Sequence, residues 1–247
     1  MTSSDQSPHW QPATTPPELG DGEIHVWYLP LSITDDRLEQ FFGVLAIEET
    51  ERAARFAFPY LRQRYIVAHG MLRLILGAVL NRDPAGLSFR KGDHGKPFLV
   101  ADELQFNLSH SGEHGLLAMT RRTEIGVDIE GMSRKVDTGG IAERFFSERE
   151  AGELLSLAED QQRHGFFNLW TRKEAWLKAT GIGISEGLNK VEFNCRPGDP
   201  ARLLRINGKV DEAENWHIST FSTPANEFIG SVAIEAEPGG FQFFAYD

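Results

Sequence analysis

The sequence predicts an α+β fold, and three observations carry that expectation. A strand pattern opens the ordered chain, two long helical periodicities stand well apart, and short apolar or alternating runs lie between and after them. With 247 residues, 40% hydrophobic and 25% charged, there is enough apolar side chain for one large domain or two small ones. Residues 1–22 carry Pro8, Pro12, Pro16 and Pro17 among Ser, Thr and Gln, which predicts a flexible N-terminal arm outside the core. Residues 23–31 read as the first strand. Leu61, Tyr65, Ala68, Leu72, Ile75 and Val79 recur at steps of four and three, the spacing of one helix face, and that helix ends near Asn81-Arg82-Asp83-Pro84. Residues 98–100, 105–108, 115–119 and 124–129 are short runs separated by Gly, Asp and Ser, as sheet strands are. Ser147-Glu148-Arg149-Glu150 has the form of a capping box opening a helix to about 157, and a further helix spans 162–179 before Gly181. Beyond Gly187, residues 191–193, 203–206, 216–221, 228–234 and 241–246 read as a meander, with Asn207-Gly208 as a hairpin turn. Phe41-Phe42 and Phe145-Phe146 each precede a long helix and later strands, a hint of two halves, 23–123 and 124–247.

Charge narrows the function classes. Lys and Arg number 25 against 36 Asp and Glu, a net charge of −11, which argues against a general nucleic-acid binder because phosphate backbones call for a basic surface. No run of about 18 apolar residues is present to span a bilayer. The first 22 residues lack the pattern of a secretory signal, and Cys195 is the sole cysteine, so a cytoplasmic location is expected. Between Arg52 and Lys96, nine basic residues meet two acidic ones, a local +7 that leaves about −18 for the rest. Such a run is either a solvated helix face or a docking surface for something polyanionic, phosphate esters or an acidic protein.

Three carboxylates stand out. Asp128 and Glu130 are two apart on a predicted strand and so share a face, able to hold one cation between them. Glu174 falls in line with Phe167, Trp170 and Leu177 on the apolar stripe of its helix, where an ionised carboxylate is costly unless paired or metal-bound. Either Glu174 pairs with Lys178 at i+4, or it joins Asp128 and Glu130 around a hard divalent ion, for which oxygen ligands suit Mg²⁺. Asn107-Leu108-Ser109-His110-Ser111-Gly112 places a histidine among hydroxyls at a strand end. His110 is there as a hydrogen-bonded turn histidine or as a phosphate contact. The segment 181–187 follows a helix rather than a strand, so it reads as a cap and loop and not as a dinucleotide fingerprint.

Five fragments in order, Gly95-Lys96-Pro97-Phe98, Phe106 to Ser111, Gly126 to Glu130, Phe145-Phe146-Ser147 with Glu150, and Trp170-Thr171-Arg172-Lys173-Glu174-Ala175 with Lys178, resemble the surfactin-synthetase-activator type of 4′-phosphopantetheinyl transferase. The resemblance covers roughly residues 52–187. It implies a monomer of two similar α/β halves about a pseudo-twofold, with coenzyme A and Mg²⁺ between them. It implies transfer of phosphopantetheine from coenzyme A to a serine of an apo acyl or peptidyl carrier protein, releasing 3′,5′-ADP, an activity that often serves secondary metabolism. By the same resemblance, Asp128, Glu130 and Glu174 hold the metal, and Lys178 lies near the pyrophosphate. Arg52, Arg64, Lys96, Ser109 and His110 would surround the adenosine phosphates. Asp128, Glu174 and Lys178 are the expected catalytic set, with Glu174 as candidate base. A second basic contact of some members, three residues before Arg52, falls here on Glu49, an acid. Glu150 has a cap to make at its helix start, with a supporting role to Lys173 or to the metal as the lesser option. Two other readings keep part of the chemistry: a Mg²⁺-dependent phosphodiesterase or nucleotidyl enzyme, and a non-catalytic adaptor for carrier proteins.

Overall fold

The computed structural model describes residues 8–100, 104–121, 123–183, 187–225 and 227–247. The first half runs β1 (Gln11–Ala13), β2 (Glu23–Pro30), α1 (Asp35–Gly43), α2 (Ile47–Ala54), α3 (Pro59–Leu80), β3 (Phe89–Lys91), β4 (Pro97–Leu99), β5 (Gln105–Ser111) and β6 (His114–Thr120). The second runs β7 (Ile125–Gly131), α4 (Thr138–Phe145), α5 (Glu148–Ser156), α6 (Glu159–Thr180), β8 (Val191–Phe193), β9 (Leu203–Ile206), β10 (His217–Ser222), β11 (Phe228–Ile234) and β12 (Gly240–Tyr246). None of these helices is long and apolar enough to cross a membrane.

Layering follows from strands that are apolar on both faces. β2 and β6 are buried along nearly their whole length and so need cover on both sides. Trp27 and Leu29 meet Met71, Leu72 and Ile75 of α3 on one side. Ile24, Val26 and Tyr28 meet Val127, Ile129 and Val232 of a second sheet on the other. That second sheet, β10-β11-β7, is covered in turn by α6 through Ala175, Ile229 and Ala233. The result is helix, sheet, sheet, helix, with a 22-residue helix on each outer face. This is an α+β fold of two halves stacked sheet to sheet.

The helices end where local chemistry predicts. α3 has Pro59 in its first turn and stops at Asn81, which takes the left-handed φ of 51°. At the start of α5 both halves of the capping box form: Ser147 Oγ accepts the Glu150 N–H at 3.2 Å and Glu150 Oε2 accepts the Ser147 N–H at 2.9 Å. α6 begins three residues earlier than its periodicity suggests, with Glu159 and Asp160 in a first turn that favours negative charge.

Two expectations fail at the chain ends. Residues 8–22 are not an arm outside the core: β1 pairs in parallel with β12, Trp10 packs edge-on against Tyr28, Phe221 and Phe243, and Leu19 is buried. Residues 1–7 lie outside the described residues. Nor are the last strands a meander. β12 leaves its sequence neighbours and inserts between β1 and β2, in the order β1-β12-β2-β6-β5, so residues 240–246 belong with the first half's sheet. Asn207 and Gly208 do turn, with φ of 50° and 79°, but only the Ile206–Lys209 bridge follows, and β10 pairs with β11 instead. In the 181–187 loop, Gly181 closes α6 with a φ of 70°, while residues 184–186 lie outside the described residues.

Candidate active site

β5 and β7 belong to different sheets and meet without main-chain pairing. Their link is a row of side chains two apart on β5. Asn107 Oδ1 accepts the Val127 N–H, Ser109 Oγ donates to Asp128 Oδ1, and Ser111 Oγ donates to Glu130 Oε2, each at 2.9 Å. The alternation Asn-x-Ser-x-Ser is the sequence signal for this row, and the side chain of His110, between the two serines, points to the other face and is exposed. α6 closes over the same ground because Gly126 lets it. A Cβ at 126 would lie 1.9 Å from the Ala175 carbonyl oxygen and 2.4 Å from the Ala179 nitrogen. That approach sets Glu174 and Lys178 beside Asp128.

Lys178 Nζ donates to Asp128 Oδ1 at 2.6 Å and to Ser109 Oγ at 2.7 Å. It makes no ion pair with Glu174, so the local i+4 reading does not hold. Glu174 is buried, its Oε1 has no partner, and Asp128 Oδ2 is buried and unpartnered as well. Burial, then the charge of Asp128, pushes the Glu174 carboxyl up to about 7, against the pull of Lys178 and with a smaller push from Glu130. Burial and Asp128 likewise raise Glu130, although Arg134 stands 3.3 Å away. This is a cluster of negative charge short of a cation. Among the described residues no three His, Cys, Asp or Glu side chains are already closed around one point. The donor set nevertheless fits a hard ion: every donor is oxygen, and two buried carboxylate oxygens have nothing to bind.

The basic residues expected around phosphates have partners within the protein. Lys96 turns inward, with Nζ 2.6 Å from Glu124 Oε2 and 3.2 Å from the carbonyls of Ile125 and Ala179, and so ties β7 to the end of α6. Arg64 pairs with Glu113 at 2.7 Å and stacks over Tyr60. Arg52 lies over the Tyr65 ring. His110 is held below the usual imidazole range by its covered side, then by the charges of Lys178 and Arg64. Ser109, Asp128 and Lys178 are therefore in direct contact, Glu130 and Glu174 flank them, and Arg52, Arg64 and Lys96 are engaged with protein groups.

Two acids have structural partners. Glu49 holds the buried Arg73 at 2.6 Å and accepts the Ala46 N–H at 3.0 Å. Glu150 does more than cap its helix. Its Oε2 pairs with the fully buried Lys173 at 2.8 Å, and its Oε1 accepts the Phe193 N–H at 2.8 Å.

Residues 124–233 match the model of the 4′-phosphopantetheinyl transferase superfamily, and residues 32–122 match that of the 4′-phosphopantetheinyl transferase N-terminal region. The 4′-phosphopantetheinyl transferase HetI of Nostoc sp. is 38% identical over 78% of this chain and 83% of its own. The chain belongs to the 4′-phosphopantetheinyl transferase superfamily. The 4′-phosphopantetheinyl transferase Sfp of Bacillus subtilis is 29% identical over 66% of this chain and 72% of its own. A holo-(acyl-carrier-protein) synthase from Bacillus anthracis, solved in complex with CoA (3′,5′-ADP), overlaps 47% of this chain and 97% of its own, with 21% identity and a TM-score of 0.33. The two family models meet between residues 122 and 124, just before β7 of this phosphopantetheinyl transferase.

Proposed function

We propose that this phosphopantetheinyl transferase works at the Asp128, Glu130, Glu174 and Lys178 cluster, with coenzyme A as donor and a serine of an acyl or peptidyl carrier protein as acceptor. The observation that carries the reading is the buried, cation-poor carboxylate cluster, with Asp128 Oδ2 and Glu174 Oε1 unpartnered beside a lysine. Burying such charge is costly unless a ligand supplies the missing positive charge. Asp128, Glu130 and Glu174 would hold Mg²⁺, and the ion, when bound, would neutralise charge on the pyrophosphate.

The serine oxygen forms a bond to the phosphorus that carries the pantetheine arm, and the bond from that phosphorus to the bridging oxygen breaks, releasing 3′,5′-ADP. Lys178, fixed by Ser109 and Asp128, faces the negative charge of the pyrophosphate and stabilises the departing oxygen. Glu174 takes the serine proton on whichever of its two carboxylate oxygens the ion would leave free. Ser109 and Ser111 keep the two β7 carboxylates on the side facing α6. His110 and Arg64 would meet the adenosine phosphates.

The test is product analysis with coenzyme A, Mg²⁺ and an apo carrier protein. Release of 3′,5′-ADP is expected only when carrier is present, with Asp128→Ala abolishing it and Lys178→Ala slowing it at least about tenfold. Equal cleavage of coenzyme A without carrier would replace this reading with a phosphodiesterase.

A further inference from the structure

α6 lies across the three strands of the second sheet, and polar side chains beneath it form one row. Thr220 of β10 stands opposite Ser231 of β11, and Ser231 stands opposite Asp128 of β7. Ser109 of β5 continues the row by donating to Asp128 Oδ1 at 2.9 Å. From α6, Arg172 reaches Thr220, Thr171 reaches Ser231 and Lys178 reaches Asp128. Thr171 and Ser231 are fully buried. A layer between helix and sheet is ordinarily filled by apolar side chains, as Ala175, Ile229 and Ala233 fill it nearby. Hydroxyls in that layer call for a reason.

The reason lies in which way their hydrogens run. Arg172 can only donate, and its Nε does so to Thr220 Oγ1 at 2.9 Å. It is a settled cation, with Nη1 bonded to the carbonyl and Oδ1 of Asn194 and the charges of Asp199 and Glu153 acting on it. At the other end Thr171 Oγ1 gives its single hydrogen to the Phe167 carbonyl at 2.8 Å. Between them, Ser231 Oγ is 2.8 Å from Thr171 Oγ1 and 3.0 Å from Thr220 Oγ1. With the Thr171 hydrogen committed to Phe167, Ser231 must supply the hydrogen of the first contact and Thr220 that of the second. The chain therefore runs one way, from Arg172 through Thr220, Ser231 and Thr171 to Phe167, and each hydroxyl donates once and accepts once.

The row breaks at one place. Among the described residues no hydrogen bond links Ser231 to Asp128, although directly opposed residues of antiparallel strands have Cβ atoms about 4.5–5.5 Å apart, close enough for a hydroxyl to meet a carboxylate. The Ser231 hydrogen goes to Thr171 instead, and Asp128 Oδ2 stays buried and unpartnered. Because an ionised carboxylate is a stronger acceptor than a hydroxyl, it is the placement of Thr171 that holds Ser231 away.

We propose that Thr171 is a positioning residue for the metal site: by accepting the Ser231 hydrogen it leaves Asp128 Oδ2 open to the cation. The inference rests on the reading of Asp128, Glu130 and Glu174 as the ligands of that cation. Without the Thr171 hydroxyl, Ser231 turns to Asp128, and an incoming ion must displace a buried, charge-assisted hydrogen bond.

The test is the Mn²⁺ affinity of the full-length protein, with neither coenzyme A nor carrier present, read from the EPR signal of the free ion. Thr171→Val keeps the shape and loses the hydroxyl, and it should weaken binding about tenfold, the effect of one hydrogen bond to a charged group. Ser231→Ala should bind as the parent does. Combining it with Thr171→Val should bring the affinity back to within about twofold of the parent, an outcome that packing damage at either position would not give. Thr171→Ala asks the same question should Thr171→Val fail to fold, and a melting temperature recorded for each variant shows which are folded. Parental affinity in a folded Thr171→Val or Thr171→Ala, or a further loss in the double variant, would overturn the proposal. If Asp128→Ala removes binding while the Thr171 variants keep it, the inference falls and the reading of the site stands; a parent protein that binds no Mn²⁺ overturns that reading and the inference together.

Discussion

At the residue scale the active region is governed by what burial does to charge. His69 shows the same physics outside the carboxylate cluster. It stacks on Tyr65 at 3.9 Å, its Nδ1 lies 3.0 Å from the Tyr65 carbonyl, and burial brings its pKa down to about 4 from the usual 6.5. The unfolded chain therefore binds more protons than the folded one between about pH 6.5 and 4, so stability falls as pH drops through that window. His69→Phe should flatten this part of the profile relative to the parent, read as the urea midpoint at several pH values. Equal slopes in the two proteins would contradict the assignment. Glu174 was legible for a related reason: a carboxylate on an apolar helix stripe asks for an explanation. The i+4 pairing that its neighbour Lys178 offers is not made. Pairing rules for helix surfaces assume a solvated face, and α6 buries even Thr171, Arg172 and Lys173. The partner of Lys178 is Asp128, 50 positions away, and no local spacing reveals it.

At the element scale the site depends on how closely α6 approaches β7. Gly126 is the contact point, and its missing Cβ is a packing requirement that reads in sequence only as a glycine within a strand. Gly126→Ala should push α6 outward, cost about 1–3 kcal/mol of stability, and lower transferase activity by more than that loss explains, because Glu174 and Lys178 move with the helix. Melting temperature and turnover measured on the same preparation separate the two effects. An alanine variant with parental turnover would show that the approach is not needed. Element ends were readable where the signal is local, as at Ser147 and Asn81. Lys96 was not, since its role as a tie between Ile125 and Ala179 joins elements far apart in the chain.

At the scale of the whole molecule the two halves are not separable pieces of chain. β12 carries Phe244 and Tyr246 into the core beside Trp27 and Phe41, and it lies parallel to both of its neighbours, β1 and β2. Parallel pairing needs no turn between partners, which is why a reading built on turns placed this strand in a meander and left residues 8–22 outside. Removing residues 240–247 should therefore unfold the first half, seen as lost protection of β2 and β6 amides in hydrogen exchange. Retained protection there would contradict the topology. What the sequence did convey at this scale was the α+β class and the presence of two halves, through two long helices set among short strands.

The most direct measurement is intact-mass spectrometry of several apo carrier proteins after incubation with this protein, coenzyme A and Mg²⁺, with Asp128→Ala in parallel. The account predicts a gain of one phosphopantetheine group on at least one carrier, absent in the variant. An unchanged mass on every carrier, or the same gain with Asp128→Ala, would contradict it.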